Sequence, residues 1–295
     1  MTEVSARRSA LIALAILTVV WSFNWIVMKA VLVYVGALTF SAMRYVFGTV
    51  VLFAVLALRG ENLAPTPWRD TLIVGLAQTT AFQALVQLAL ISGGAGKTAL
   101  LAYTMPFWVI PLAWLVLGDR PSPRQWLYIA LAAAGLVLVL QPWNAQVGML
   151  SAVLALLGGG AWAVGTVFSK RLFLTTQVSP LRLTAWQMLY GTVLLVVIAA
   201  CVHERETVWS PTLIGALLYN GILSSGLAWA LWAFVVQRLP ANVAGLASLS
   251  TPLLGVSFAW AILGERPDAS EAIGIAVIGV ALFGVLRSPA RNARA

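Results

Sequence analysis

Residues 95–140 occur twice in this chain. Shifted by 146 positions, they lie without a gap on residues 241–286. Pro106 falls on Pro252, Trp114 on Trp260, and the GDRP at 118–121 on the GERP at 264–267; 14 of the 46 aligned pairs are identical. Apolar sequence matches itself by chance, but not with a proline, a tryptophan and a Gly-acid-Arg-Pro turn in one register. Self-similarity at a fixed offset marks a structural unit built more than once, and it decides the architecture before any single residue does. Each copy is an apolar run broken by a proline, a short charged turn, and a second apolar run. The likeness continues upstream. AQTTAFQALVQLAL (77–90) aligns with LSSGLAWALWAFVV (223–236) at the same offset. Trp21 and Lys29 echo Trp162 and Lys170 at an offset of 141, and GTVVL (48–52) echoes GTVLL (191–195) at 143.

The runs between turns are too apolar for water. Only 9% of the 295 residues are charged and 61% are hydrophobic, whereas a soluble domain carries about 25% charged residues. Continuous apolar stretches of about 20 residues match the hydrocarbon thickness of a bilayer as helices. They do not alternate as barrel strands do. Ten spans are expected, near residues 9–30, 37–58, 70–92, 96–118, 124–141, 147–170, 180–202, 211–236, 241–264 and 270–287. Arg7 and Arg8 precede the first run as in a signal peptide, but that run is long enough to span and is read as retained. Connections this short leave no room for a soluble domain.

Basic residues orient the bundle. With the N-terminus in the cytoplasm, 13 Lys and Arg fall on that side and 4 on the other, and Arg44 is left inside a span. Cytoplasmic loops carry such an excess, so both termini are expected there, and the net charge of +9 reflects the membrane rather than nucleic acid. The repeated unit has five spans. Five is odd, so the second copy enters the membrane from the opposite side. The expected fold is therefore an all-α integral membrane protein, with ten transmembrane helices as two inverted five-helix repeats, residues 1–143 and 144–295. Inverted repeats are the plan of many secondary transporters, whose site lies near the midplane between the halves.

Several polar and aromatic residues then fall inside that midplane. Arg44, about eight residues into the second span, faces either a cavity, where it would anchor a carboxylate, or snorkels to the outer surface. Thr79, Thr80, Gln83 and Gln87 share roughly one face of the third span, answered by Ser224, Ser225 and Trp229 in the eighth; helix–helix hydrogen bonding is the competing role. Trp21 and Asn24 in the first span, Tyr103 and Trp108 in the fourth, Trp162 in the sixth, and Trp186 with Gln187 in the seventh complete the candidate cavity set. Pro106 and Pro252 sit mid-span at equivalent places. Each removes a helix hydrogen bond, and their recurrence favours paired hinges over static kinks. Trp68, Trp126, Trp143 and Trp209 fall at span ends as an interfacial belt. The fifth and tenth spans are apolar all round and stay outside the cavity.

What the spans lack is as telling. All nine Asp and Glu lie in loops, tails or span ends, and His203 and Cys201 are the sole histidine and cysteine. Proton relays and intramembrane enzymes need buried acids or histidines, and thiolate or histidine metal sites need more than one such ligand. No enzymatic activity, metal or cofactor is expected, and transport is expected to be facilitated and uncoupled. SGGAGKT (92–98) resembles a nucleotide-binding loop, but Ile91 stands where the first glycine is required and no strand precedes it.

The two five-span copies, the proline of the fourth span and the Gly-[Asp/Glu]-Arg-Pro turn resemble the drug/metabolite transporter superfamily, EamA branch, and within it the amino-acid exporters of the YddG type. That resemblance implies a ten-helix exporter of amino acids or related metabolites in the bacterial inner membrane, with a central cavity lined by spans one to four and six to nine. Trp21, Trp162, Trp186 and Tyr103 would receive an apolar or aromatic side chain. Arg44, Asn24, Gln83, Gln187, Ser224 and Ser225 would satisfy carboxylate and ammonium groups. The expected partners are a small-molecule substrate and the lipid bilayer, not nucleic acid, with the chain a monomer or homodimer. Carriers of other metabolites, of nucleotide-sugar-like solutes or of drugs remain alternatives, as does a membrane scaffold or lipid-binding subunit.

Overall fold

The computed structural model describes residues 3–93, 95–141, 148–255 and 268–287. These residues are helical, with no strand among them. The helices are α1 (Glu3–Ala30), α2 (Ala37–Leu58), α3 (Trp68–Ser92), α4 (Ala95–Ala102), α5 (Met105–Leu117), α6 (Pro123–Leu140), α7 (Met149–Thr175), α8 (Pro180–Cys201), α9 (Pro211–Arg238), α10 (Ala241–Ala247) and α11 (Ala269–Arg287). Seven stretches of the described chain are long and apolar enough to cross a bilayer, and two shorter apolar helices lie within α6 and α11. This is a multi-pass membrane protein. The expected ninth span continues past α10 as a helix over 250–255 and then leaves the described residues, which also exclude GERP, Trp260 and Trp143.

Local sequence sets the ends. Ser122, Ser179 and Ser210 each accept a hydrogen bond from the backbone three residues on, and each is followed by a proline at the first helical position, where a missing N–H costs nothing. Gly118 closes α5 with a left-handed φ of 69°, a conformation that glycine adopts without steric penalty.

The sequence repeat reappears as paired distortions. α3 widens to a π-helix over Gly75–Ala81, and α9 does so over Tyr219–Leu227; an offset of 146 carries one onto the other. The expected continuous fourth span is instead broken at Tyr103 and Thr104, with α4 and α5 on either side. There Thr104 Oγ1 donates to the Leu101 carbonyl at 2.7 Å. In the ninth span the chain turns at Ser248 and Leu249, and Ser250 Oγ donates to the Ala247 carbonyl at 2.8 Å. Thr104 and Ser250 are equivalent residues, as are Leu101 and Ala247. Each hydroxyl, two residues before Pro106 or Pro252, donates to a carbonyl beside the break; the Leu101 carbonyl also accepts from the Thr104 amide at 3.1 Å.

The copies grip each other reciprocally. Thr49 and Thr192, equivalent at an offset of 143, touch hydroxyl to hydroxyl at 3.3 Å where α2 crosses α8. A residue meeting its own counterpart marks a two-fold relation. On either side, a Cβ on Gly191 would lie 2.3 Å from the Gly75 carbonyl, and one on Gly48 would lie 2.8 Å from Ser225 Cβ and 3.4 Å from the Gly221 carbonyl. The glycines of the two GTV motifs thus let α8 approach α3 and α2 approach α9, as small residues do at helix crossings in membranes. α6 and α11 pack on one another through Gly135 and Gly274, where a Cβ on either would lie under 3 Å from the other's carbonyl.

Candidate functional site

Between the two copies lies a narrow cavity. Its walls are Trp21, Asn24, Trp25 and Met28 of α1, Arg44 and Tyr45 of α2, Phe82, Gln83 and Val86 of α3, Tyr103 at the break, Trp162 of α7, and Ser224 and Trp229 of α9. The cavity has a volume of about 30 Å³. That is room for two or three waters at about 10–15 Å³ each. A larger guest requires the walls to part.

One wall is aromatic. Trp21 and Trp162, equivalent residues of the two copies, meet edge to face with ring centroids 5.5 Å apart. Trp229 sits 5.2 Å from Trp21, Phe82 5.1 Å and Tyr103 5.4 Å from Trp162. Edge contacts of this kind hold rings in fixed orientations. Trp21 Nε1 also donates to the Ser224 carbonyl at 3.2 Å.

The opposite wall holds a charge. Arg44 is only 2% exposed. Its Nη1 donates to Asn220 Oδ1 at 2.6 Å and its Nη2 to Gln83 Oε1, while Nε has no partner. Its guanidinium carbon lies 5.0 Å from the centre of the Tyr45 ring. Both acceptors are neutral. Two residues of the same walls carry further buried orphans: Asn24 Oδ1, an acceptor, and Trp162 Nε1, a donor. A buried polar atom without a partner is uncommon and costs stability, so the cavity carries unmet demand for one anion, one N–H and one oxygen acceptor.

Of the sequence candidates, the structure brings Trp21, Asn24, Arg44, Gln83, Tyr103, Trp162, Ser224 and Trp229 together here. The others are placed elsewhere by helix phase: Thr80 Oγ1 donates to the Gly191 carbonyl at 2.7 Å and Gln87 Nε2 to the Met28 carbonyl at 3.3 Å. Thr79 and Gln187 face one another across α3 and α8, Oγ1 donating to Oε1 at 3.0 Å. Gln187, the counterpart of Arg44, is thus spent on a helix contact. Trp186 donates to the Leu63 carbonyl at 3.2 Å and stacks on Phe53 and Tyr190. Trp108 is 44% exposed, and Ser225 packs against Gly48. Pro106 and Pro252 are buried beside the two breaks and do not line the space. Trp25, Met28, Tyr45, Phe82 and Val86 line it without having been singled out from the sequence. Helical spacing from Trp21 and from Gln83 carries the signal for Trp25, Met28 and Val86; nothing in the sequence marked Tyr45 or Asn220.

Among the described residues no three His, Cys, Asp or Glu gather in reach of one metal ion, and no histidine or carboxylate lines the cavity.

Comparison with known proteins agrees on the class. The profile of the EamA-like transporter family matches residues 8–141 and again 149–287. The chain is 25% identical to "Uncharacterized transporter YoaV" of Bacillus subtilis (strain 168), covering 90% of this chain and 92% of that one. It is 26% identical to a "Probable amino-acid metabolite efflux pump" of Escherichia coli (strain K12), covering 94% of each. A solved crystal structure shares the fold with a TM-score of 0.76 at 20% identity, covering 94% of this chain and 96% of that one.

Proposed function

Because the chain belongs to the EamA-like transporter family, we propose that it is a secondary carrier in the bacterial inner membrane, both termini cytoplasmic, exporting amino acids and their derivatives by alternating access. The observation that carries this reading is Arg44, a buried guanidinium with only neutral partners on the wall of an aromatic-lined cavity between the two copies. A carboxylate is the natural complement of that group, and Trp21, Phe82, Trp162 and Trp229 offer an apolar or aromatic side chain its berth. The efflux-pump relative supports the outward direction. The paired breaks ahead of Pro106 and Pro252 supply places where each copy can bend, and the inverted arrangement of the copies supplies two equivalent openings.

Efflux of a labelled panel of amino acids and their N-acyl and 2-oxo derivatives from proteoliposomes tests it. Compounds with large apolar side chains should leave well ahead of glycine or aspartate, and Arg44→Gln should slow them at least about tenfold, the loss of one charged hydrogen-bonded contact. Efflux no faster than from protein-free liposomes for the whole panel would end the proposal.

A further inference from the structure

The cavity wall has a fixed positive charge and nothing of opposite sign. Arg44 bonds Asn220 and Gln83, both uncharged. Among the described residues, six acids lie in loops or at helix ends. Glu61 follows α2, Asp70 opens α3, Asp119 lies in the turn after α5, Glu204 and Glu206 follow α8, and Asp268 precedes α11. A cation in a low-dielectric interior is costly until an anion neutralises it. From this imbalance we infer that the preferred passenger is a carboxylate carrying a net charge of −1, such as an amino-acid derivative whose nitrogen is acylated or replaced by a carbonyl, rather than a zwitterion.

The reasoning rests on the carrier reading above and narrows it. A monoanion bound at Arg44 leaves the occupied cavity neutral. A zwitterion leaves it with one unpaired ammonium, for which the wall offers a single neutral acceptor, Asn24 Oδ1, and aromatic faces. An N-acyl amino acid matches the orphaned atoms more fully. Its carboxylate answers Arg44, its amide N–H suits Asn24 Oδ1, and its acyl oxygen suits Trp162 Nε1. The counterpart positions in the second copy show how one-sided the site is: Gln187 stands for Arg44 and Trp229 for Gln83.

A consequence follows for energetics. Arg44 stays with the protein, so each turnover moves one negative charge across the membrane. An interior-negative potential then drives the anion outward with no coupled ion. The equilibrium bias is about fiftyfold per 100 mV for one charge.

The experiment uses proteoliposomes with a potassium diffusion potential set by valinomycin, loaded either with labelled N-acetyl-phenylalanine or with phenylalanine. N-acetyl-phenylalanine should leave at least about tenfold faster than phenylalanine. Its efflux should accelerate with the lumen negative and slow with the lumen positive. Gln83→Glu places a carboxylate against Arg44 with little change in shape, and it should invert the preference, while the anion flux that remains still carries one negative charge and keeps its response to potential. Phenylalanine moving as fast as its N-acetyl derivative overturns the inference and leaves the carrier standing. Transport of neither compound, nor of any other in the wider panel, overturns the carrier as well. A Gln83→Glu protein that is folded by thermal melt yet keeps the anion preference also counts against the inference.

Discussion

Glu204, in the loop after α8, caps a helix that belongs to the other copy. Its carboxylate accepts from the Leu38 and Thr39 amides at 3.0 and 2.7 Å and from Thr39 Oγ1 at 2.8 Å. Gly36 makes the room, since a Cβ there would fall 2.3 Å from Glu204 Oε2. Glu61, its equivalent at an offset of 143, accepts from Ser179 Oγ at 3.0 Å at the start of α8 and pairs with Arg59 at 3.0 Å. The two sites differ in one respect. α8 keeps its own cap, Ser179 accepting from the Arg182 amide at 3.2 Å, whereas no side chain of α2 caps α2. Glu204→Ala should therefore destabilise by about 1–2 kcal/mol, the loss of a cap, and Glu61→Ala by less than half of that. Thermal unfolding of the two variants in detergent, side by side, checks the order. Asp119 belongs to the same class of loop acid; partial burial pushes its carboxyl above the ordinary value, against the opposing pull of Lys170.

At the scale of elements, a pair of lysines closes two helix ends. Lys29 of α1 donates to the Leu90 and Gly93 carbonyls at 2.5 and 2.9 Å, at the C-terminus of α3. Lys170 of α7, its counterpart, donates to the Gln237 carbonyl at 3.1 Å, at the C-terminus of α9. Ammonium groups suit those ends because the last carbonyls lack helical partners and carry the negative pole of the dipole. In the proposed topology Lys29 ties the outer mouth and Lys170 the inner one. Lys29→Met should then shift the resting population towards outward-open and Lys170→Met towards inward-open. Labelling of a cysteine introduced at Ser224, in a Cys201→Ser background, reads this from each side of the membrane; equal labelling in both variants contradicts it. The breaks at Tyr103–Thr104 and Ser248–Leu249 belong to this scale too. The prolines announce a disruption from sequence, but the breaks themselves lie a few residues earlier, at Tyr103–Thr104 and Ser248–Leu249.

The whole molecule is symmetric in position and asymmetric in chemistry. Thr49 meets Thr192 and Trp21 meets Trp162, each residue facing its own counterpart. Yet Arg44, Asn24 and Gln83 all come from the first copy. Among the described residues no acid or histidine lines the chamber between the copies, and no side chain described there changes its charge between about pH 5 and 8. Flux in proteoliposomes held at zero potential should be unchanged, within about twofold, when a gradient of one pH unit is imposed or collapsed with nigericin. Strict dependence on that gradient would contradict this expectation.

By itself the sequence determined the class and the repeat, and it singled out eight of the residues that line the cavity. Apolar runs of bilayer length leave only helices as an outcome, and an exact register of Pro, Trp and Gly-acid-Arg-Pro leaves only a duplicated unit. Arg44 stood out because charge is expensive where it lies. Helix phase was decided by packing. Residues 79, 186, 187 and 225 carry the same chemistry as those on the cavity wall, but Gly48 and Gly191 draw the helices so close that these side chains are taken up between helices or turned away. The π-helical segments alter the phase of α3 and α9 partway along, and that shift leaves no trace in residue type. Tyr45 and Asn220 became part of the site only once α2 and α9 met, because a partner for a buried guanidinium is fixed by distance and not by spacing along the chain.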